Sequence, residues 1–151
     1  MDSYDVVIAG GAVTGSSVAY HLAADDGFRG RVLVLEPDPT YRHSASALSA
    51  ASIRQQFSSP VNVEISLHGI RFLRRIGDVL EVDGERPDIG LHEGGYLFLA
   101  TPGGRATLAE NHAVQAALGA DVAFLEPEAL VARFPWIEAG DLAAGCLGLS
   151  G

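Results

Sequence analysis

Six residues near the start of the chain, Gly10-Gly11-Ala12-Val13-Thr14-Gly15, carry the spacing of a G-x-G-x-x-G turn, in which glycines let a backbone bend tightly beside a pyrophosphate. Gly10 and Gly15 fit the first and third glycine positions. Ala12 replaces the middle one and brings a methyl group toward the expected phosphate path. Glu36, 21 residues after Gly15 and followed by Pro37, is the second chemical signal. A carboxylate there can accept hydrogen bonds from both hydroxyls of an adenosine ribose and would repel the extra phosphate of NADP. The pair suits an adenosine dinucleotide, either FAD or NAD, and the local residues do not choose between them. The plain alternatives are a surface turn and a solvated strand-end carboxylate.

These residues need a strand, a helix and a second strand to hold them. YDVVIA, residues 4–9, is a short apolar run ending at the glycines and is predicted to be a strand buried on both faces of a parallel sheet. From Ala12 to Ala24, Val18 and Leu22 recur at helical spacing until Asp25-Asp26-Gly27 breaks the pattern. RVLVLE, residues 31–36, reads as a second strand, parallel to the first and closed by Pro37 and Pro39. The helix would then open at the glycines, with its amino-terminal amides toward the pyrophosphate.

The remainder is less regular. A polar, Ser- and Ala-rich segment runs from Thr40 to Ser59. Ser59-Pro60 starts a helix, with Val63, Leu67, Ile70, Leu73 and Leu80 on one apolar face, predicted to reach about residue 80. Val82 to Ile89 is turn-prone. A β-type run covers 95–101, a helix 104–118, a strand 122–125 and a helical turn 128–134. The fold class is α/β: a Rossmann-like βαβ unit for FAD or NAD(P), followed by the start of an antiparallel α+β substrate domain. The domains are expected at 1–85 and 86–151.

Composition narrows the function classes. The 151 residues suffice for one domain that buries roughly two-thirds of its unfolded surface. Hydrophobic residues at 48% and charged residues at 19% fit a globular protein, and a net charge of −9 disfavours nucleic acid as a partner. Cys146 stands alone, so an intrachain disulfide is excluded and a reducing, cytoplasmic setting is the default. His21, His68, His92 and His112 lack ligand spacing, so no metal is expected. Met1 to Asp5 lacks a basic leader region, and no apolar run approaches the ~18 residues a membrane span needs.

Four stretches together are far more specific than the glycines: YDVVIAGGAVTGSSVAYHLA, VLVLEPDPTY, ALSAASIRQQFS and GGYLFLAT. Over essentially its whole length the chain resembles the D-amino-acid oxidase superfamily of FAD-dependent oxidoreductases, within it the branch of sarcosine oxidase and dimethylglycine dehydrogenase. The resemblance implies FAD held by Gly10, Gly11, Ala12, Val13, Thr14, Gly15, Glu36 and Pro37. It also brings Ser44, Ser46, Ser49 and Ala50 to the pyrophosphate or the isoalloxazine, the plain alternative being a helix cap. Some relatives attach the flavin through a His in this segment. Ser49 stands at the matching position here, and His43 reads as an exposed loop residue, so non-covalent FAD is expected. Arg54 matches a basic residue close to the flavin ring, where a fixed cation would stabilise reduced flavin; alternatively it pairs with Glu64 or Glu36. Tyr96, Leu97 and Phe98 resemble the strand that enters the substrate domain.

The implied reaction is oxidation of the C–N bond of a secondary or tertiary amine such as an N-methyl amino acid. Family members are much longer. The ending GCLGLSG reads as an interruption inside a strand or turn, so a fragment is expected, inactive alone and lacking a carboxy-terminal part or partner subunit. An apolar edge of the parallel sheet would then be exposed. Two rivals stay open. An NAD-dependent dehydrogenase predicts further strand-helix-strand units after residue 36. A non-catalytic nucleotide-binding or assembly module predicts no flavin reduction by an amine.

Overall fold

The computed structural model describes residues 3–151; Met1 and Asp2, which entered the expectation about a leader, lie outside the described residues. The chain divides into two compact units, Met1–Ser52 and Ile53–Gly151. This division by compactness is distinct from the domains expected at 1–85 and 86–151.

The first unit is a β-α-β arrangement. Strand β1 (Val6–Ala9) leads into helix α1 (Val13–Ala24), and strand β2 (Val32–Leu35) lies parallel to β1 with Val6 opposite Val32 and Ala9 opposite Leu35. The β-branched runs set the strands. At the end of α1 the Asp25 carboxylate accepts the Gly27 N–H at 2.8 Å and closes the turn. Helix α1 covers one face of the sheet, close to Ile8. Burial on both faces, expected from the apolar runs, is not observed: Val7 is 56% and Leu35 53% exposed. Two strands and one helix are too few layers to cover both faces. After β2 this unit continues in turns rather than in another strand-helix-strand repeat, against the dehydrogenase expectation.

The second unit begins with an irregular stretch and helix α2 (Pro60–Leu73), with Ser59 and Pro60 at its start as expected. Val63 and Ile70 are buried on its apolar face. The expected helix to residue 80 breaks at Arg74-Arg75 and resumes as the short α3 (Ile76–Val79). There the Arg75 N–H bonds the Phe72 carbonyl at 3.0 Å, a tightened i→i+3 turn that ends the regular ladder. Strand β3 (Tyr96–Ala100), helix α4 (Arg105–Ala117), strand β4 (Val122–Leu125) and helix α5 (Pro127–Arg133) follow.

Residues 144–148 form a further strand. Ala144–Gly148, β5, is the centre of a three-stranded antiparallel sheet of order β3-β5-β4, paired along its whole length with β3 and over Gly145–Gly148 with β4, and every one of its residues is buried. Side chains from the neighbouring elements close over its glycines. A Cβ on Gly145 would meet Leu130 Cδ1 at 3.2 Å, and one on Gly148 would meet Gln56 Oε1 at 2.8 Å. Val63 and Leu130, both fully enclosed, belong to the core of this unit with Ile70, Ala144 and Cys146.

Candidate functional site

The glycine turn is built as its spacing predicts. Gly10 has φ +98°, a left-handed conformation natural to glycine, and its N–H extends the β1–β2 ladder by bonding the Leu35 carbonyl at 2.8 Å. Gly15 is buried where α1 crosses the end of β1, and a Cβ there would lie 1.8 Å from the Gly10 carbonyl oxygen. The close helix-strand approach therefore requires glycine. Ala12 is the N-cap of α1 with φ −64° and ψ −170°, extended backbone that any residue adopts, so the turn itself tolerates alanine at the middle position.

Glu36 ties this turn to the end of β2. Its Oε2 accepts the Gly11 N–H at 2.7 Å, and its Oε1 accepts the Asp38 N–H at 2.8 Å. A carboxylate has about four lone-pair positions, so capacity for further donors remains. Gly11 is buried, with Ser16 Oγ donating to its carbonyl. Pro37 is exposed just beyond Glu36.

At the amino-terminal end of α1 lies a pocket of ≈ 320 Å³, lined by Gly10, Ala12, Val13, Thr14, Gly15 and Ser46 among others. The first N–H groups of a helix have no partner within it, and the helix dipole makes this end attractive to an anion. No acidic residue in the first turn of α1 opposes that field. A pyrophosphate fits the chemistry of this cradle. A larger hollow of ≈ 470 Å³ around Leu80, Asp83 and Arg86 lies in an exposed loop, and Arg86 there is already paired with Asp78 and Glu81.

The Ser- and Ala-rich segment is a series of turns, not a helix, and is brought only partly to the pocket. Ser46 lines it, as does Ala45, which no sequence signal marked. The Ser44 hydroxyl accepts the Ala47 N–H at 3.2 Å, so it caps a turn rather than a helix. Ser49 Oγ donates to the Ser46 carbonyl at 2.8 Å and accepts the Ala51 N–H at 3.1 Å. Ser44, Ser49 and Ala50 are not among the pocket-lining residues. Tyr41 was also missed; its hydroxyl lies 3.3 Å from where a Cβ on Gly11 would stand, and its φ of +55° has no sequence signature.

In the second unit Arg54 forms no ion pair with Glu64. Its guanidinium carbon lies 4.9 Å from the Phe57 ring centroid, 5.4 Å from Tyr96 and 5.6 Å from Phe98, a seat of cation-π contacts. Behind it runs a buried polar cluster that sequence reasoning overlooked. Gln56 Nε2 donates to the Cys146 carbonyl at 2.8 Å and lies 3.4 Å from its sulfur, while Gln115 Nε2 donates to the Phe57 carbonyl at 3.1 Å. Burial pushes the Cys146 thiol above its ordinary value, partly opposed by the Gln56 hydrogen bond. Of the scattered histidines, His112 packs edge-on against Phe124 while His43, His68 and His92 are exposed; among the described residues no group of three or more His, Cys, Asp or Glu could hold a metal.

Comparison with known proteins supplies the wider frame. The profile of the DAO family, described as FAD dependent oxidoreductase, matches residues 5–150. The chain is similar to "FAD-dependent oxidoreductase domain-containing protein 1" of Xenopus laevis, at 45% identity over 148 residues. The Drosophila melanogaster homolog of that protein is 40% identical over 147 residues. Each alignment covers 96% of this chain, but the chain spans only 30% and 28% of those relatives. Among solved structures, glycine oxidase from Geobacillus kaustophilus superposes with a TM-score of 0.67 at 28% identity, over 97% of this chain and 39% of that one. L-proline dehydrogenase from P. horikoshii superposes with a TM-score of 0.70 at 21% identity, over 99% and 37%, and shares the fold.

Proposed function

The chain belongs to the DAO family of FAD-dependent oxidoreductases, and from that premise we propose that it is the amino-terminal portion of an enzyme oxidising the C–N bond of a secondary or tertiary amine, such as an N-methyl amino acid. The observation that carries the reading is the glycine turn locked to Glu36: a positive-φ Gly10, a Gly15 that admits no Cβ, and a carboxylate bonded to the Gly11 N–H. This cradle suits the adenosine pyrophosphate of FAD. The similarity to a glycine oxidase at 28% identity supports an amino acid, itself an amine, as the kind of substrate.

FAD, when bound, would supply the two-electron acceptor for a hydride from the carbon beside nitrogen, and water would hydrolyse the resulting iminium ion to the shorter amine and a carbonyl compound. The protein's part is binding and electrostatics. Gly10 to Gly15 would hold the pyrophosphate at the start of α1, with Ser46 at the same pocket; Glu36 and Pro37 would meet the ribose, and Ser44, Ser49 and Ala50, outside that pocket, remain candidates for the flavin end by resemblance. Arg54, seated among aromatic rings, is the candidate catalytic cation, which would stabilise reduced flavin if the ring lies beside it as the resemblance implies. Ser49 in place of an attaching histidine supports non-covalent FAD. The division into an FAD-binding part, 1–85, and the beginning of a substrate domain, 86–151, and a cytoplasmic setting belong to the same reading.

The test is anaerobic titration of the FAD-loaded full-length protein with N-methyl amino acids, followed by loss of the flavin's visible absorption. Bleaching by sarcosine-like amines supports the proposal. Bleaching only by primary amino acids overturns the substrate class, and bound FAD that no amine reduces returns the assembly-module reading. Acid precipitation that leaves yellow colour in the pellet would overturn non-covalent attachment.

A further inference from the structure

The chain contains two Asp-Gly pairs, Asp26-Gly27 and Asp83-Gly84. In such a pair the glycine nitrogen can attack the side-chain carboxyl carbon of the aspartic acid, because no side chain on the next residue crowds the approach. The fold sets the two pairs apart. The Gly27 N–H donates to the Asp25 carboxylate at 2.8 Å. The nitrogen must give up that proton to attack, and a carboxylate that holds it opposes the loss with its own negative charge. The Gly84 N–H makes no hydrogen bond among the described residues.

Asp83 and Gly84 form the tip of a two-residue hairpin, with φ +52° and +84°. Its closure rests on one pair of backbone bonds, from the Val82 N–H to the Glu85 carbonyl at 3.1 Å and from the Glu85 N–H to the Val82 carbonyl at 2.9 Å. Residues 81–90 are all exposed, Val82 to 67%, so no apolar packing holds the tip shut. A lone hairpin is marginal in water and opens locally without unfolding the rest. Asp83 also lies in the left-handed region, where a residue with a Cβ carries strain that opening releases. A Cβ built on Gly84 would meet nothing within 4 Å, and Asp83 borders the ≈ 470 Å³ hollow, so water reaches the tip. The ion pairs of Arg86 with Asp78 and Glu81 tie only the base of the loop.

We propose that Asp83 is a site of spontaneous backbone isomerisation. The Gly84 nitrogen bonds to the Asp83 side-chain carboxyl carbon, the carboxyl hydroxyl leaves as water with the amide proton, and a cyclic imide forms. Water then adds at the former backbone carbonyl and breaks its bond to the Gly84 nitrogen. The chain now runs through the side-chain carbon as isoaspartate, with a free α-carboxylate. One water leaves and one enters, and nothing is oxidised or reduced. The extra backbone atom disrupts the Val82–Glu85 pairing, and the new α-carboxylate is the group that an isoaspartyl methyltransferase would take. None of these steps involves the flavin.

The experiment incubates the full-length protein in mildly acidic buffer made with H₂¹⁸O, folded and in urea, and maps newly formed isoaspartate by electron-transfer fragmentation of its peptides. In the folded protein isoaspartate is expected to accumulate at position 83 at least about tenfold faster than at position 26, the factor that one hydrogen bond to a charged acceptor supports. Each converted chain should carry one ¹⁸O, and in urea the two rates should converge. Asp83→Glu needs a larger, slower-closing ring and is expected to lose the product at 83. An isoaspartyl methyltransferase with S-adenosylmethionine should then label the aged wild type and not Asp83→Glu. Equal rates at the two positions in the folded protein, no isoaspartate at 83 there, or equal methyl labelling of wild type and variant overturns the proposal. If the variant folds poorly, the site-resolved rates in the wild type decide the matter.

Discussion

The carbonyl oxygen of Gly10 occupies the space into which a Cβ on Gly15 would project, leaving 1.8 Å where van der Waals contact needs about twice that. The obstacle is backbone, so no rotamer change relieves it. Gly15→Ala is expected to push α1 away from β1, cost about 1–3 kcal/mol and abolish FAD binding, as read by urea unfolding and flavin fluorescence. Retained affinity would show that the turn is not the pyrophosphate cradle.

Ala12→Gly makes the opposite case. Ala12 caps α1 with ordinary extended torsion angles, and glycine is a better N-cap than alanine. FAD affinity should stay level or rise. A loss of more than about tenfold, which is 1.4 kcal/mol, would mean that the methyl group itself contacts the cofactor.

Glu36 joins two segments through the Gly11 and Asp38 N–H groups, at 2.7 and 2.8 Å. Bonds to an ionised acceptor are worth about 1.5–3 kcal/mol when buried, and this carboxylate is half-buried. Glu36→Ala should lower stability by about 1–2 kcal/mol and FAD affinity by at least about tenfold. Calorimetric titration with FAD measures the second effect. An unchanged affinity would assign Glu36 to holding the turn alone.

Acid should weaken the second unit through two exposed ion pairs. Hydrogen bonds from Arg105 hold the Glu126 carboxyl below its ordinary value of 4.5, and those from Arg74 do the same for Glu93. A carboxyl depressed in the folded state binds its proton first in the unfolded chain. The stability it contributes is therefore present above pH 4.5 and lost as pH falls from there through the depressed value. Urea midpoints of wild type and Glu126→Gln should converge as pH drops below 4.5. Curves that stay parallel would show that the pair contributes nothing, as many exposed pairs do.

Cys146 sits 2% exposed in β5, with its thiol shifted above the ordinary 9.0 by burial. The thiolate is the reactive form, so the native protein should resist a disulfide reagent at neutral pH and react promptly once unfolded. Equal rates in both states would mean that β5 opens readily.

The residues alone determined the β-α-β beginning, the glycine turn and Glu36 as its partner, because each depends on neighbours near in sequence and on local patterns of apolar spacing and glycine. They also carried the family, through four stretches specific enough to be recognised together. Only the tertiary structure decided that the last residues form a central strand, since β5 draws its partners from Tyr96–Ala100 and Val122–Leu125. It likewise decided that Arg54 sits among aromatic rings, and that Gln56 bonds a carbonyl 90 residues away while the side-chain amide of Gln55 beside it makes no hydrogen bond. Such placements arise when distant segments pack, and glutamine or arginine carries no local signal of which segment will come to meet it.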